Sequence, residues 1–322
     1  MIPLTRKEMM NADSLASDPG SIAAAGSRLA GKTTTVGDLI DRSLARITAV
    51  DTRVQGWRSV DRRGAREQAA ALDEEAARGE LRGPLHGMPV AIKDVIDVAG
   101  WPTRAGSRSR EDIPAATGDA QVVLALRAAG AVIMGKAHTT EFAYFDGPPP
   151  TRNPHHLAHT PGGSSAGPAA VVAAGMVPMS IGTQTAGSVS RPAAYCGIAA
   201  FKPSTLAWSA QGIVPFSPGF DTPGVFAHRV ADVAIAARVL MPPYLRRENV
   251  AVAQSLRIAL IEDAVLEAAT VEVTQSMRRA TEQIKAAGHS ITLLRSPGPF
   301  AKLSEWHKTM IEYELARIQA QL

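Results

Sequence analysis

The chain has 322 residues, 45% hydrophobic and 20% charged, with a formal net charge of +4. A globule of that length hides about three quarters of the surface its unfolded chain exposes, and such a composition excludes wholesale disorder. The basic stretch Arg62 to Arg66 is answered at once by Glu67, Asp73, Glu74 and Glu75, and only 5% of residues are aromatic, so a base-stacking nucleic-acid surface is not expected.

Cys196 is the sole cysteine, which excludes an internal disulfide and a cysteine cluster for zinc. The opening Met1-Ile-Pro-Leu-Thr-Arg-Lys lacks the apolar stretch of a signal peptide, and no apolar run is long enough to span a membrane. A cytoplasmic location without membrane association is the expectation.

Residues 1–34 are small and polar and read as a loosely packed arm, flexible or with one short helix; residues 35–322 read as the folded domain. Within the arm, Gly26-Ser27-Arg28-Leu29-Ala30-Gly31-Lys32-Thr33 has phosphate-loop spacing, but no hydrophobic strand feeds it, so a turn leading to a helix is the expected structure. Leu39, Ile40, Leu44, Ile47 and Val50 recur at helical spacing and predict a helix over 36–50, with a second, Ala-rich helix over 61–78 stopped by Gly79. Alternating elements follow: strand 89–92, helix 119–129, strand 131–134, helix 165–174, strand 177–181 and helix 230–240. Strand 258–261, helix 271–287, strand 290–294 and a helix over 301–322 complete them. This alternation argues for an α/β domain around a largely buried mixed sheet.

Two Gly/Ser segments stand out. Pro161-Gly162-Gly163-Ser164-Ser165-Ala166-Gly167-Pro168 reads as a tight turn entering a buried helix. In Gly182-Thr183-Gln184-Thr185-Ala186-Gly187-Ser188 a strand feeds a loop that can aim a hydroxyl and consecutive amides at one point, which acyl transfer requires. Lys93 ends the apolar run Met88 to Ile92, where burial favours a neutral amine able to accept a serine proton. It could equally reach water or pair with Asp94.

Taken with Gly87-Met-Pro-Val-Ala-Ile-Lys93-Asp94 and Gly197-Ile-Ala-Ala-Phe-Lys202-Pro203, these motifs resemble the amidase signature family. The resemblance implies a central mixed β-sheet covered by helices on both faces. It implies Ser188 as nucleophile, Ser164 as bridging serine after a cis Gly163-Ser164 peptide, and Lys93 as base, with Thr183 in support. The amides of Thr185, Ala186, Gly187 and Ser188 match the oxyanion loop. The chemistry so implied is hydrolysis of a small-molecule amide through an acyl-enzyme, without metal or cofactor. Asn153-Pro-His-His and Arg191-Pro-Ala-Ala-Tyr-Cys196 look malonamidase-like, which would set Arg191 against a substrate carboxylate; the alternative is an arginine bonding nearby carbonyls. Cys196 is expected in packing, and His138, His155 and His156 are given no role.

Two departures bear on activity. Ala186 stands where the family usually has glycine, which would strain the oxyanion loop if that position needed a positive φ. The family's usual C-terminal part also extends beyond the point matching Leu322, so the fold is expected to be incomplete there, inviting self-association, for example as a homodimer. A weakly active or inactive, amidase-derived binding or assembly protein is the alternative function.

Overall fold

The computed structural model describes residues 14–144, 147–246, 255–262, 268–295 and 300–320. The first elements are α1 (Ile22–Ala30), α2 (Val36–Val54), β1 (Trp57–Val60), α3 (Arg62–Ala77), β2 (Pro89–Lys93), α4 (Gln121–Ala128) and β3 (Val132–Ala137). Next come α5 (Ala166–Ala173), β4 (Met179–Gln184), α6 (Ser190–Tyr195), β5 (Ala199–Phe201), β6 (Thr222–Ala227) and α7 (Val230–Leu240). The last are β7 (Arg257–Glu262), α8 (Val271–Ala286), β8 (Ser290–Arg295) and α9 (Phe300–Gln319).

Six strands form one mixed sheet in the order β1-β3-β2-β4-β6-β5, with helices on both faces. The central three, β3, β2 and β4, run parallel, and β1 and β6 flank them antiparallel. Every residue of β2, β3 and β6 is buried, so these strands lack a polar alternation and are apolar but for Lys93, Lys136 and Thr222. Strand β6 is hidden from sequence reading because Pro223 and Gly224 interrupt it. Proline is tolerated there because β5 pairs only with Val225 to Ala227, so at Pro223 the ladder with β4 is the only one formed.

Helix α2 starts on a capping box in which Thr35 and Asp38 satisfy each other's backbone amides, and its face of Leu39, Ile40, Leu44, Ile47 and Val50 is buried as the periodicity requires. Helix α5 is buried on every side, and its small residues let neighbouring backbone close in. A Cβ on Gly167 would lie 2.4 Å from the His138 amide nitrogen and 2.5 Å from the Gly56 carbonyl oxygen, so only glycine fits there.

Residues 22–30 form a short helix, one of the two forms expected of the arm, but it is not loosely packed: Ile22, Ala25 and Leu29 are buried, and Asp232 of α7 accepts hydrogen bonds from the Ile22 amide and the Ser21 hydroxyl. Gly26 to Leu29 lie inside α1, and Lys32 follows its C-terminal end, whereas a phosphate loop precedes a helix; this segment is a helix with its cap. The first thirteen residues of the expected arm lie outside the described residues.

The single domain expected over 35–322 is instead divided between two compact units, residues 1–246 with 317–322, and residues 247–316. In the second unit β7 and β8 pair in parallel from Arg257↔Ser290 to Glu262↔Arg295, connected through α8. No helix among the described residues is long and apolar enough to cross a membrane.

Docking of α1 predicts that Ile22→Ala lowers stability by about 2–5 kcal/mol in chemical denaturation, the range for emptying a buried aliphatic site. A change at exposed Ala23, Ala23→Ser, stays within about 0.5 kcal/mol. Equal, small effects of both would show a loosely attached segment.

Candidate active site

Strand β2 ends on Lys93, whose side chain is wholly buried. Its Nζ lies 2.8 Å from Ser164 Oγ and 2.8 Å from Thr183 Oγ1. Loss of hydration lowers its pKa to about 7, with the negative charge of Asp221 acting in the opposite sense. An amine so placed is largely neutral at mildly alkaline pH, with a lone pair that accepts a proton from one hydroxyl while an N–H donates to the other. Because the folded chain releases this proton below the ordinary lysine range, it binds fewer protons than the unfolded chain above pH about 7, and the burial penalty falls as pH rises through that window.

The alternative partner, Asp94, is not used by Lys93. Successive strand residues face opposite sides of a sheet, and Asp94 turns to Lys136 of β3, 3.3 Å away. The register agrees: Lys136 stands opposite Ile92, on the Asp94 side, while Ala137 stands opposite Lys93. Lys136 also donates to the Ile96 carbonyl at 2.6 Å and to Thr103 Oγ1 at 3.0 Å, so this second buried lysine is held by acceptors and a counter-charge.

Ser164 follows a cis Gly163-Ser164 peptide bond. The turn before it needs Gly162, which has φ +77° and whose absent Cβ would sit 2.9 Å from Pro192 Cα. Arg191 donates from Nε and Nη2 to the Gly163 carbonyl oxygen at 2.9 and 2.7 Å. Of its two anticipated roles, the geometry shows bonding to a nearby carbonyl, which holds the Ser164 segment. The Ser164 carbonyl in turn accepts from the Thr140 amide at 3.3 Å.

Thr183 lies within β4, and its own amide and carbonyl are both engaged by the Ser165 hydroxyl. The next residue, Gln184, offers Oε1 to the amides of Val189 and Ser190 at 2.8 and 2.9 Å, closing the turn that carries Ser188. Thr185 donates its hydroxyl to Asp221. Ser188 is buried, and among the described residues its hydroxyl has no hydrogen-bond partner; the amides of Ala186, Gly187 and Ser188 likewise find no acceptor there. Such a turn offers several donors to an incoming oxyanion. Neither Ala186 nor Gly187 has a positive φ, so the strain anticipated at Ala186 is absent.

The structure thus joins Lys93, Ser164 and Thr183 in one hydrogen-bonded group and places Ser188 on the turn that leaves the same strand as Thr183. The other nucleophile and base candidates fall away. Burial pushes the Cys196 thiol up to about 12 and the His138 imidazole down to about 4, leaving both neutral at ordinary pH. His155 is bonded to the Cys196 carbonyl, and His156 packs edge-on against His159. Among the described residues no three His, Cys, Asp or Glu side chains converge as a metal site.

Sequence reading missed Gln184, Asp221 and the Asp94–Lys136 pair. A signal existed for Asp221, a carboxylate immediately before the wholly buried run Thr222 to Ala227, where an ion needs a partner.

Comparison with known proteins identifies the family of the chain. The Amidase family profile matches residues 38–304. Over 222 residues the chain is 44% identical to a glutamyl-tRNA(Gln) amidotransferase subunit of Anaeromyxobacter sp. (strain K), covering 67% of this chain and 45% of that protein. It is 40% identical over 217 residues to a 1-carboxybiuret hydrolase subunit of Pseudomonas sp. (strain ADP), covering 65% of this chain and 47% of that protein. The chain therefore spans about half the length of these curated relatives. The native peptide amidase of Stenotrophomonas maltophilia superposes with a TM-score of 0.83 at 30% identity, covering 92% of this chain and 66% of the amidase. With the profile spanning most of its length, the chain belongs to the Amidase family.

Proposed function

We propose that this chain hydrolyses the C–N bond of a small amide through a Ser–Ser–Lys relay and an acyl-enzyme. The observation that carries the reading is the 2.8 Å contact between Ser164 Oγ and a wholly buried Lys93 Nζ that has no carboxylate bonded to it among the described residues. Neutral Lys93 takes the Ser164 proton as Ser164 takes that of Ser188, and Ser188 Oγ attacks the amide carbonyl carbon. The tetrahedral oxyanion is met by the amides of the 185–188 turn. The relayed proton passes to the leaving nitrogen as the C–N bond breaks, giving ammonia or an amine and an ester on Ser188. Water, deprotonated by the same relay, attacks that ester and restores the serine.

Two narrower points follow from the side chains. Arg191 is committed to the Gly163 carbonyl, so its support of Ser164 is better founded than a pairing with a substrate carboxylate; malonamate belongs in a substrate panel beside neutral primary amides. Amidotransfer to an acceptor other than water shares every step up to the ester, and the amidotransferase names of several relatives make it the second reading. The binding-protein alternative loses one of its grounds, since Ala186 is unstrained.

A fluorophosphonate should therefore label Ser188, and the purified chain should release ammonia from a panel of short amides over many turnovers. Ser188→Ala and Lys93→Ala should each lower that rate by at least about a thousandfold, as expected when members of a relay that act as one unit are removed. Turnover that survives both substitutions, or a folded wild-type chain that neither reacts with the probe nor releases ammonia, would contradict the reading.

The base must be neutral, so kcat/KM should rise with pH and level off with an apparent midpoint of about 7, the value to which burial brings Lys93. A pH profile with no acid limb in this region would assign the base elsewhere.

A further inference from the structure

Asp221 is a carboxylate that the relay does not use, although only 7% of its surface is exposed. Both oxygens are occupied by donors: Oδ1 accepts from the Thr185 hydroxyl, and Oδ2 accepts from the amides of Phe216 and Ser217 at 2.7 and 2.9 Å. Three donors and no acceptor fit the ionised form, which is acceptor-only.

Its position relative to the site follows from the chain. Thr183 is the last residue but one of β4 and Thr185 comes directly after the strand; Lys93 is bonded to the first and Asp221 to the second. Gln184, between them, serves the other end of the turn through Val189 and Ser190. The segment carrying Ser188 is therefore pinned twice, by Gln184 beyond the serine and by Asp221 before it.

We propose that Asp221 is a positioning residue of the candidate site, its carboxylate fixing Thr185 at the entrance of the Ser188 turn and supplying the negative charge that faces Lys93 across the end of β4. The charge works against desolvation: an anion nearby makes the ammonium easier to keep, and so raises the Lys93 pKa against the larger downward pull of burial. The other charged groups around Lys93 are committed elsewhere. Asp94 and Lys136 are paired on the opposite side of the sheet, and Arg191 is bonded to the Gly163 carbonyl; Ser164 and Thr183, the two groups hydrogen-bonded to Lys93, carry no charge.

The assignment rests on the proposed relay, and its test separates the two. Asp221→Asn keeps an acceptor for Thr185 but removes the charge. It should lower the rate of Ser188 phosphonylation and move the acid limb of the pH profile down, as loss of a nearby negative charge would. A merely structural residue would change the rate and leave the limb in place, which would overturn the electrostatic role. Nuclear magnetic resonance titration of the Lys93 side chain reads the same downward shift without any catalysis. If wild-type protein proves inactive and that titration still shifts, the relay fails and the Asp221–Lys93 coupling stands; an unshifted titration overturns the coupling. Thr185→Val keeps the charge and removes the hydroxyl, so phosphonylation should fall at least about tenfold, in line with loss of a donor-positioning contact. An unchanged rate in that variant would contradict the positioning role even if Asp221→Asn failed to fold.

Discussion

An amine without water is the constraint on which the rest of this architecture depends. Lys93 is carried into the centre of the sheet by β2, where every residue is buried, and among the described residues its Nζ meets only hydroxyl groups within hydrogen-bond range. Burying an unpaired ammonium is costly, and burial lowers the pKa of this one to about 7, so a far larger share of it is neutral near neutral pH than of an exposed lysine. The neighbouring strand shows the other solution to the same problem: Lys136 is as buried, yet it keeps a carboxylate 3.3 Å away and two further acceptors. Two lysines on adjacent parallel strands thus have different partners because strand alternation hands Asp94 to one and denies it to the other.

The glycine-rich turns serve that constraint by bringing backbone close. Gly167 lets the α5 backbone lie against His138 and Gly56, and Gly162 lets the Ser164 segment pass Pro192. Arg191, Thr140, Gln184 and Asp221 then fix the two serine-bearing turns through backbone carbonyls, amides and one hydroxyl. Preorganisation of this kind lets donors be in place before charge develops, so little reorganisation is needed when an oxyanion forms.

How much of this was legible in the sequence depended on whether a signal was local. Helical periodicity over 36–50 and the apolar run ending at Lys93 have local causes, and both elements occur, α2 being four residues longer and β2 including the lysine. The Gly/Ser turns around Ser164 and Ser188 were visible because glycine and serine are informative where they cluster. Strand β6 was not, since Pro223 and Gly224 break the pattern and only the short reach of β5 makes them tolerable. Nor were the partners of Asp221, which lie 36 residues back at Thr185 and a few residues back at Phe216 and Ser217. Arg191 illustrates the same limit: its residue type suited a carboxylate and a carbonyl alike, and only the fold brings Gly163 to it. Nor was the division into two units legible, because helix and strand alternation continues across it.

The central claim is that Lys93 is a neutral amine in the working protein. Neutron diffraction from deuterium-exchanged crystals, held about one unit above the expected midpoint, counts the hydrogens on its Nζ directly. Two deuterons, with the lone pair directed at Ser164 Oγ, are the predicted result; three deuterons on Nζ, with Ser164 Oγ accepting one of them, would contradict the account.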